Sequence, residues 1–135
     1  MIDPLEKAAR LVGRIARLAL NYSTNDRDRL LLYVEAEEGM HSLALYAEKE
    51  RHIQVISTGA DISKLIDKLW RDAPSDKKWM AFALIVEDGN FTINYYYPDG
   101  PPAGRHLADR HLKMVAAHFG RKPIHRAPVG TDGDD

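Results

Sequence analysis

Histidines are the first side chains of this sequence that could support catalysis or hold a metal ion. The six are His41, His52, His106, His111, His118 and His125. Helical metal ligands usually lie three or four residues apart, whereas His106 and His111 are five residues apart and no HxxxH pattern occurs. The spacing therefore predicts no metal centre. Histidines on a basic helix are expected to be ordinary surface groups that gain charge together below about pH 6.5.

Paired carboxylates are the second group that could do chemistry, as a general acid and a general base. The pairs are Glu35/Glu37, Glu37/Glu38, Asp26/Asp28 and Glu87/Asp88. None stands beside a recognisable nucleophile. Glu35 and Glu37 would share one face of a strand, where they repel each other unless water screens them or a cation approaches. The pattern favours recognition of a basic partner, or plain solvation, over catalysis. The sequence therefore predicts neither an enzyme nor a cofactor.

The strongest structural signal is the stretch Trp79–Tyr97, WMAFALIVEDGNFTINYYY, in which two alternating apolar runs flank Asp88-Gly89. A tight turn of this kind needs positive φ at both central residues, which Asp and Gly tolerate, so a β-hairpin is predicted. Alternation places Met80, Phe82, Leu84, Val86, Phe91, Ile93, Tyr95 and Tyr97 on one face. The other face carries Trp79, Ala81, Ala83, Ile85, Thr92, Asn94 and Tyr96.

A three-stranded meander is predicted upstream, over Leu30–Glu37, Met40–Glu48 and Arg51–Ser57. A two-residue turn at Glu38-Gly39 would pair Ala36 with His41, Val34 with Leu43, Leu32 with Leu45 and Leu30 with Ala47. This pairing collects one apolar face, which we expect to face the core. The opposite face carries Leu31, Tyr33, Glu35, Glu37, Ser42, Ala44, Tyr46 and Glu48, and is expected either to face solvent or to bind a partner.

Three amphipathic helices complete the predicted fold. They run from Asp3 to Tyr22, from a cap at Asp61 to before Pro74, and from about Ala103 to Phe119 with Gly120 as cap residue. The apolar stripe of the third is Leu107, Ala108, Leu112, Val115, Ala116 and Phe119. The expected fold class is α+β, with a five-stranded antiparallel sheet and the order α-β-β-β-α-β-β-α. Residues 1–120 are expected to form one domain and residues 121–135 a flexible C-terminal tail.

Composition and charge narrow the classes of function. The chain of 135 residues has no cysteine, which excludes disulfides, thiolate metal sites and a cysteine nucleophile. The formal net charge is -1, yet residues 105–126 carry six basic residues against one acid, which permits electrostatic steering of a charged partner. The first helix has a basic stripe, Lys7, Arg10, Arg14 and Arg17, which is either its solvated face or a site for anions.

The same composition argues against two classes of partner and favours one compartment. Residues 91–97 contain no basic residue, which argues against an aromatic platform for nucleic acid. The first residues lack the pattern of a secretory signal, and no segment approaches the length of a membrane span. We therefore predict a cytoplasmic protein that contacts neither nucleic acid nor membrane, and a homodimer stays open.

The order of these elements resembles the YezG-like family of bacterial immunity proteins, which are antitoxins of polymorphic or contact-dependent toxin systems. The resemblance rests on LLLYVEAEEGMHSLALYAEKERHIQVIST and DISKLIDKLWRDAPSDKKWMAFALIVEDGNFTINYYYPDG and spans about Asp3 to Gly100. The shared features are a leading helix, a strand meander, a helix, a strand that begins with Trp, and an aromatic hairpin strand. The basic segment 105–125 and the acidic end depart from the pattern.

The resemblance implies an immunity protein that neutralises a cognate toxin domain, such as a nuclease, by stoichiometric occlusion. The residues predicted to bind this partner are Tyr33, Glu35, Glu37, Tyr46, Glu48, Trp79 and Tyr96. In this hypothesis the glutamates imitate phosphate for a basic toxin groove while the tyrosines anchor the contact. The alternative is a non-enzymatic adaptor or small-ligand module that uses the aromatic sheet face.

Overall fold

The described part of the chain forms three helices and six strands. The structure is a computed structural model, and it describes residues 3–23, 25 and 27–126. The elements are α1 (Pro4–Tyr22), β1 (Arg29–Glu37), β2 (Met40–Glu48), β3 (Ile53–Ile56), α2 (Ala60–Asp72), β4 (Ala81–Glu87), β5 (Asn90–Tyr96), α3 (Leu107–Phe119) and β6 (Ile124–Arg126). The predicted α+β class is therefore confirmed.

One mixed sheet contains all six strands, in the order β5-β4-β1-β2-β3-β6. Every neighbouring pair is antiparallel except β3 and β6, which run parallel. The predicted five-stranded antiparallel sheet was wrong in this detail because it lacked β6. This strand lies in the segment 121–135 that was predicted to be a tail. Residues 127–135 of that segment lie outside the described residues.

The local pairing follows the alternation of the sequence. Ala36 lies opposite His41, and the pairs continue along β1 and β2 in the predicted register. The turn between β4 and β5 has φ values of 52° at Asp88 and 78° at Gly89, as the predicted hairpin requires. A buried alternating pattern fixes register strongly, because a one-residue slip would move every apolar side chain to the other face.

The first face of the sheet packs against α1 and α2. The helix α1 contributes Leu11, Val12, Ile15, Ala16 and Ala19 to this core. The helix α2 contributes Ile62, Ile66 and Leu69, and the sheet contributes the predicted inner row of β1 and β2 together with Phe82, Leu84 and Val86. The predicted core face is thus confirmed.

The second face packs against α3, so the molecule has three layers. Leu31, Tyr33, Tyr46 and Ala83 of the sheet form a second core with Met114, Val115 and Phe119 of α3. The central residues of β1, 30–34, are buried on both faces. The expectation that this second face is exposed was wrong, since α3 covers it.

The start of β4 departs from the predicted alternation. Trp79 packs with Phe82 in the first core, whereas Met80 and Ala81 both contact the second core. The Met80 carbonyl accepts a hydrogen bond from the Ala36 N–H (2.9 Å), and the Met80 N–H donates to the Tyr96 carbonyl (2.7 Å). Two consecutive residues on one face are typical of an irregularity such as a β-bulge. This irregularity sends Trp79 to the face opposite the predicted one.

The third helix is shorter than predicted. It begins at Leu107 and ends before Gly120, whose φ of 76° is that of a helix cap. Leu107 and Leu112, which belong to the predicted apolar stripe of this helix, are exposed. No helix in the described part of the chain is both long and apolar enough to cross a bilayer.

Candidate functional site

Most of the residues predicted to bind a partner lie between the sheet and α3. Tyr33 is fully buried and Tyr46 nearly so, and the Tyr96 hydroxyl contacts the Met114 sulfur of α3. The helix therefore occupies the surface that the sequence offered to a partner. Tyr33 has no exposed surface to offer a partner, whereas Tyr46 and the half-buried Tyr96 keep only part of theirs, so the predicted tyrosine contact stays a prediction for these two residues.

Glu35 is held by an internal cation. Arg110 Nε donates to Glu35 Oε2 (2.5 Å) and Arg110 Nη2 donates to Oε1 (2.8 Å), which is a bidentate pair. The Tyr33 hydroxyl donates to Oε2 as well (2.6 Å). Burial alone would raise the pKa of Glu35, but these hydrogen bonds outweigh it and hold the pKa below its usual value. This carboxylate is already neutralised within the fold.

The hydrogen bonds to Glu35 also shift the pKa values of their two donors, Arg110 and Tyr33. The hydrogen bonds to Glu35 raise the pKa of Arg110 further above its usual value. Burial, together with the bond to Glu35, raises the pKa of Tyr33, so its phenol stays protonated. The remaining Arg110 donor, Nη1, bonds to the Arg105 carbonyl (3.0 Å) and ties the start of α3 to its preceding loop.

His111 belongs to the same layer. Its Nδ1 lies 2.7 Å from the Tyr46 hydroxyl, and its ring meets the Tyr33 ring edge-on at a centroid distance of 4.8 Å. Burial lowers the pKa of His111 and raises that of Tyr46, so both side chains stay neutral at pH 7. A neutral histidine fixed by a phenol suits a structural role or a polar contact to a small ligand.

Glu48 is paired internally as well. Lys122 Nζ donates to Glu48 Oε2 (2.9 Å) and to the Lys49 carbonyl (3.0 Å), while Arg29 Nε lies 3.7 Å from Glu48 Oε1. Of the three glutamates predicted to imitate phosphate, only Glu37 is exposed without an ion pair among the described residues. The predicted acidic surface is therefore reduced to Glu37, because Glu35 and Glu48 are paired with cations of this chain.

Trp79 lines a cleft on the other side of the sheet. The cleft has a volume of about 490 Å³ and lies between the start of α1, the end of α2 and the end of β5. Its apolar lining includes Leu5, Leu11, Leu69, Trp79, Tyr95 and Tyr97. Of the seven predicted residues, Trp79 alone lines it. We call this site the aromatic cleft.

The aromatic cleft has a buried floor and an exposed rim. Trp79 is 3% exposed, whereas Tyr97 is 37% and Leu5 80% exposed. The ion pair between Lys7 and Asp72 (3.3 Å) and the side chain of Lys77 supply charge at its border. Exposed apolar groups around a buried aromatic are typical of a protein-binding site.

The floor of the cleft is held rigidly. The Trp79 ring contacts Phe82 and Tyr95 at centroid distances of 5.2 and 6.1 Å, and the Trp79 carbonyl accepts a hydrogen bond from Trp70 Nε1 (3.0 Å). Burial raises the pKa of Tyr95 to about 12. The buried Trp79 Nε1 finds no acceptor in the described part of the chain. The sequence pointed to this site through Trp79 alone, and Leu5 and Tyr97 were not among the residues predicted to bind a partner.

A second depression lies beside α3. This groove has a volume of about 730 Å³, and its lining includes Tyr46, Ser57, His111, Leu112 and Arg126. It offers a cation, a hydroxyl and an imidazole next to apolar side chains. Within residues 3–23, 25 and 27–126, no group of three or more His, Cys, Asp or Glu side chains could hold a metal ion.

Comparison with known proteins finds sequence similarity between this chain and a short segment of much longer proteins. No protein-family model matches the chain. It is 26% identical over 104 residues to the Transposon Tf2-3, Tf2-4 and Tf2-5 polyproteins of Schizosaccharomyces pombe (strain 972 / ATCC 24843). The match covers 76% of this chain but 7% of each polyprotein. The chain is thus similar to a small fragment of these relatives.

Proposed function

We propose that this chain is an immunity protein of the YezG-like kind, which binds a cognate bacterial toxin in the cytoplasm and neutralises it by covering it. The observation that carries the proposal is the aromatic cleft. Its exposed Leu5 and Tyr97 surround the buried Trp79, so a partner side chain that enters it loses contact with water. Aromatic anchors in such desolvated pockets dominate the binding energy of protein interfaces.

The charge at the cleft indicates which part of a toxin would bind there. Lys77 lies at the border beside the ion pair of Lys7 and Asp72, and Arg14 and Arg17 of α1 are exposed without an ion pair among the described residues. These cations favour an acidic and apolar patch on the partner. For a nuclease toxin, whose substrate groove is basic, the chain would therefore bind beside the groove. Occlusion would then be steric.

The resemblance to YezG-like proteins supports the same proposal from the sequence. It predicted a domain without catalytic groups, whose function depends on its surface. The three-layer packing supplies a rigid surface, because both faces of β1 are buried against helices. A preformed surface keeps the conformational cost of binding low.

The groove beside α3 supports a second candidate function, a small-ligand module. His111 lines the groove with its ring fixed through Nδ1, and Arg126 supplies a positive charge. This arrangement suits a small anion with an apolar part. A protein of this kind would bind a small ligand through Arg126 and His111, and its expression would not protect cells from a toxin.

Co-expression with the growth-inhibiting protein encoded beside this chain tests the proposed function. The variant Leu5→Asp/Tyr97→Ser removes the rim of the cleft, and Leu112→Asp, an exposed change on α3, is the matched control. An acid in the first turn of α1 is favourable for the helix, so the cleft variant should fold. We expect it to lose protection and to bind the toxin at least about 30-fold more weakly, as loss of one hot spot does.

The control should protect as well as wild type. Equal protection by the cleft variant, or loss of protection only in the α3 variant, would place the contact elsewhere. Failure of wild type to protect against that protein would remove the immunity function itself. Circular dichroism of both variants establishes that they are folded.

A further inference from the structure

The strand β5 forms an open edge of the sheet. It pairs with β4 on one side, and within the described residues no strand pairs with its other side. The two-residue turn at Asp88-Gly89 makes Glu87 and Asn90 the first hydrogen-bonded pair of the hairpin. Bonded positions then recur at every second residue, up to the Tyr96 carbonyl, which accepts from Met80. The backbone N–H and C=O groups of Phe91, Ile93 and Tyr95 therefore point outward.

Among the residues that the structure describes, this edge lacks the devices that usually protect a sheet. The segment 90–97 contains no charged residue, no proline and no glycine, and β5 is seven residues long. Natural edge strands are normally short, charged, bulged or covered, because an unprotected edge pairs with another strand. The opposite edge, β6, is three residues long and contains Arg126. The long, uncharged β5 is thus suited to strand pairing.

We propose that two copies of this chain form a dimer by antiparallel pairing of β5 with β5, with the two-fold axis at Ile93. The outward backbone groups of Phe91, Ile93 and Tyr95 would then form about six hydrogen bonds with those of the second copy. The two sheets become one continuous sheet. The dimer does not depend on the proposed toxin, and it would place two aromatic cleft sites on one particle.

The residues that this register brings together are compatible on both faces. Phe91 lies opposite Tyr95 of the second copy, and such an aromatic pair stabilises a sheet. Thr92 lies opposite Asn94 of the second copy on the other face, at a pair where side chains are close and can form hydrogen bonds. No two like charges meet, since the nearest acids, Glu87 and Asp88, lie outside the paired segment.

The neighbouring helix leaves room for the second copy. Gly13 of α1 lies directly over Phe91, because a β-carbon built at Gly13 would be 3.7 Å from the ring. Ala9, one turn away on the same side of α1, is exposed. Phe91 itself is 44% exposed, an apolar surface that the pairing would cover. Small residues beside an exposed aromatic strand permit close approach of a second sheet and helix.

A charge-swap experiment tests both the dimer and its register. Thr92 and Asn94 are exposed, so charged replacements should leave the monomer folded. In Thr92→Lys/Asn94→Lys each lysine would lie opposite a lysine of the second copy. In the matched variant Thr92→Lys/Asn94→Glu each lysine would lie opposite a glutamate. Sedimentation equilibrium measures the mass of each variant against the 15.3 kDa of one chain.

We expect wild type and the Lys/Glu variant to have twice the chain mass. The Lys/Lys variant should be monomeric or dimerise at least about tenfold more weakly, because like charges directly opposite each other are destabilising. A wild type that stays monomeric up to about 100 μM, a concentration at which a specific dimer should form, would overturn the proposal. Equal behaviour of the two double variants would overturn the register.

Discussion

Glu35 shows how strongly one residue depends on what lies across from it. Read along the strand, it is an acid two residues from another acid and suits a basic partner. In the fold its partner is Arg110, 75 positions later in the chain, and both side chains are largely buried. The sequence identified a carboxylate that needs a cation, and the structure supplies that cation from α3.

Replacing Glu35 should destabilise the fold. The variant Glu35→Gln keeps the shape but leaves the charge of Arg110 without its counter-charge in a largely buried place. We expect a loss of about 2 kcal/mol in the free energy of unfolding at pH 7, because hydrogen bonds between charged groups are the strong ones. Urea denaturation measures this change.

Glu37→Gln, two residues along the same strand and exposed, is the matched control and should change the free energy of unfolding by less than about 0.5 kcal/mol. The pKa of Glu35 lies below its unfolded value, so its stabilising effect is complete above about pH 4.5 and is lost as the pH falls further. The difference between wild type and Glu35→Gln should shrink in that range. Equal losses in the two variants at pH 7 would contradict a special role for the Arg110 pair.

At the scale of elements, the alternation of side chains was sufficient to predict the strand faces, and the turn residues were sufficient to predict the register. The period of two in β1, β2 and the hairpin decides which side chains share a face, and the turns at Glu38-Gly39 and Asp88-Gly89 decide the register. Both are local properties, so the sequence was sufficient for them. The inner row of the sheet and the packing of α1 and α2 follow from the same periodicity.

The parts that were missed depend on contacts distant in sequence. Helical spacing shows that α3 is amphipathic, but it does not show which face of the sheet the helix covers. The helix packs over Tyr33 and Tyr46, so a predicted binding face became part of a core. The strand β6 has one apolar residue, Ile124, and is held by pairing with β3 and by the bond from the Ile53 N–H to the Pro123 carbonyl (2.8 Å). Neither feature has a local signature.

Trp79 was predicted as a partner-binding residue but was assigned to the wrong face of the sheet, for a different reason. Alternation through Met80 places it on the α3 side, but the irregular pairing at Met80 shifts it to the first core. A bulge inserts one residue, and a strict period of two cannot represent it. The aromatic cleft was therefore found only once the two helices and β5 were seen together.

The hairpin turn gives a prediction at the scale of elements. At Gly89 φ is 78°, a conformation that a β-carbon disfavours, although the space around it is open. Gly89→Ala should therefore lower the free energy of unfolding by about 1 kcal/mol through backbone strain alone. Thermal or urea unfolding measures it.

Gly100→Ala is the matched control, since no atom lies within 4 Å of its ideal β-carbon and its φ is not in the left-handed region. It should be neutral or slightly stabilising, because alanine restricts the unfolded chain. A Gly89 variant as stable as wild type would show that the turn between β4 and β5 is not the tight type described.

At the scale of the whole molecule, the charges that the sequence separates are partly brought together. Arg110 and Lys122 from the basic segment neutralise Glu35 and Glu48 of the sheet. Fewer cations of the basic segment are then free to attract a partner, and the exposed cations at the cleft border and on α1 become the more important. On one side of its sheet the molecule therefore presents an apolar cleft bordered by Lys77 and the Lys7–Asp72 ion pair.

One titration tests the central claim, that this chain acts by covering a toxin and changes nothing chemically. The proposed partner, a growth-inhibiting protein encoded beside this chain, is assayed for activity while purified chain is added at concentrations well above the Kd. The account predicts a linear loss of activity that is complete at one chain per toxin molecule. Complete inactivation at a small fraction of that ratio, or full toxin activity at about tenfold molar excess, where a binding inhibitor must be saturating, would contradict it.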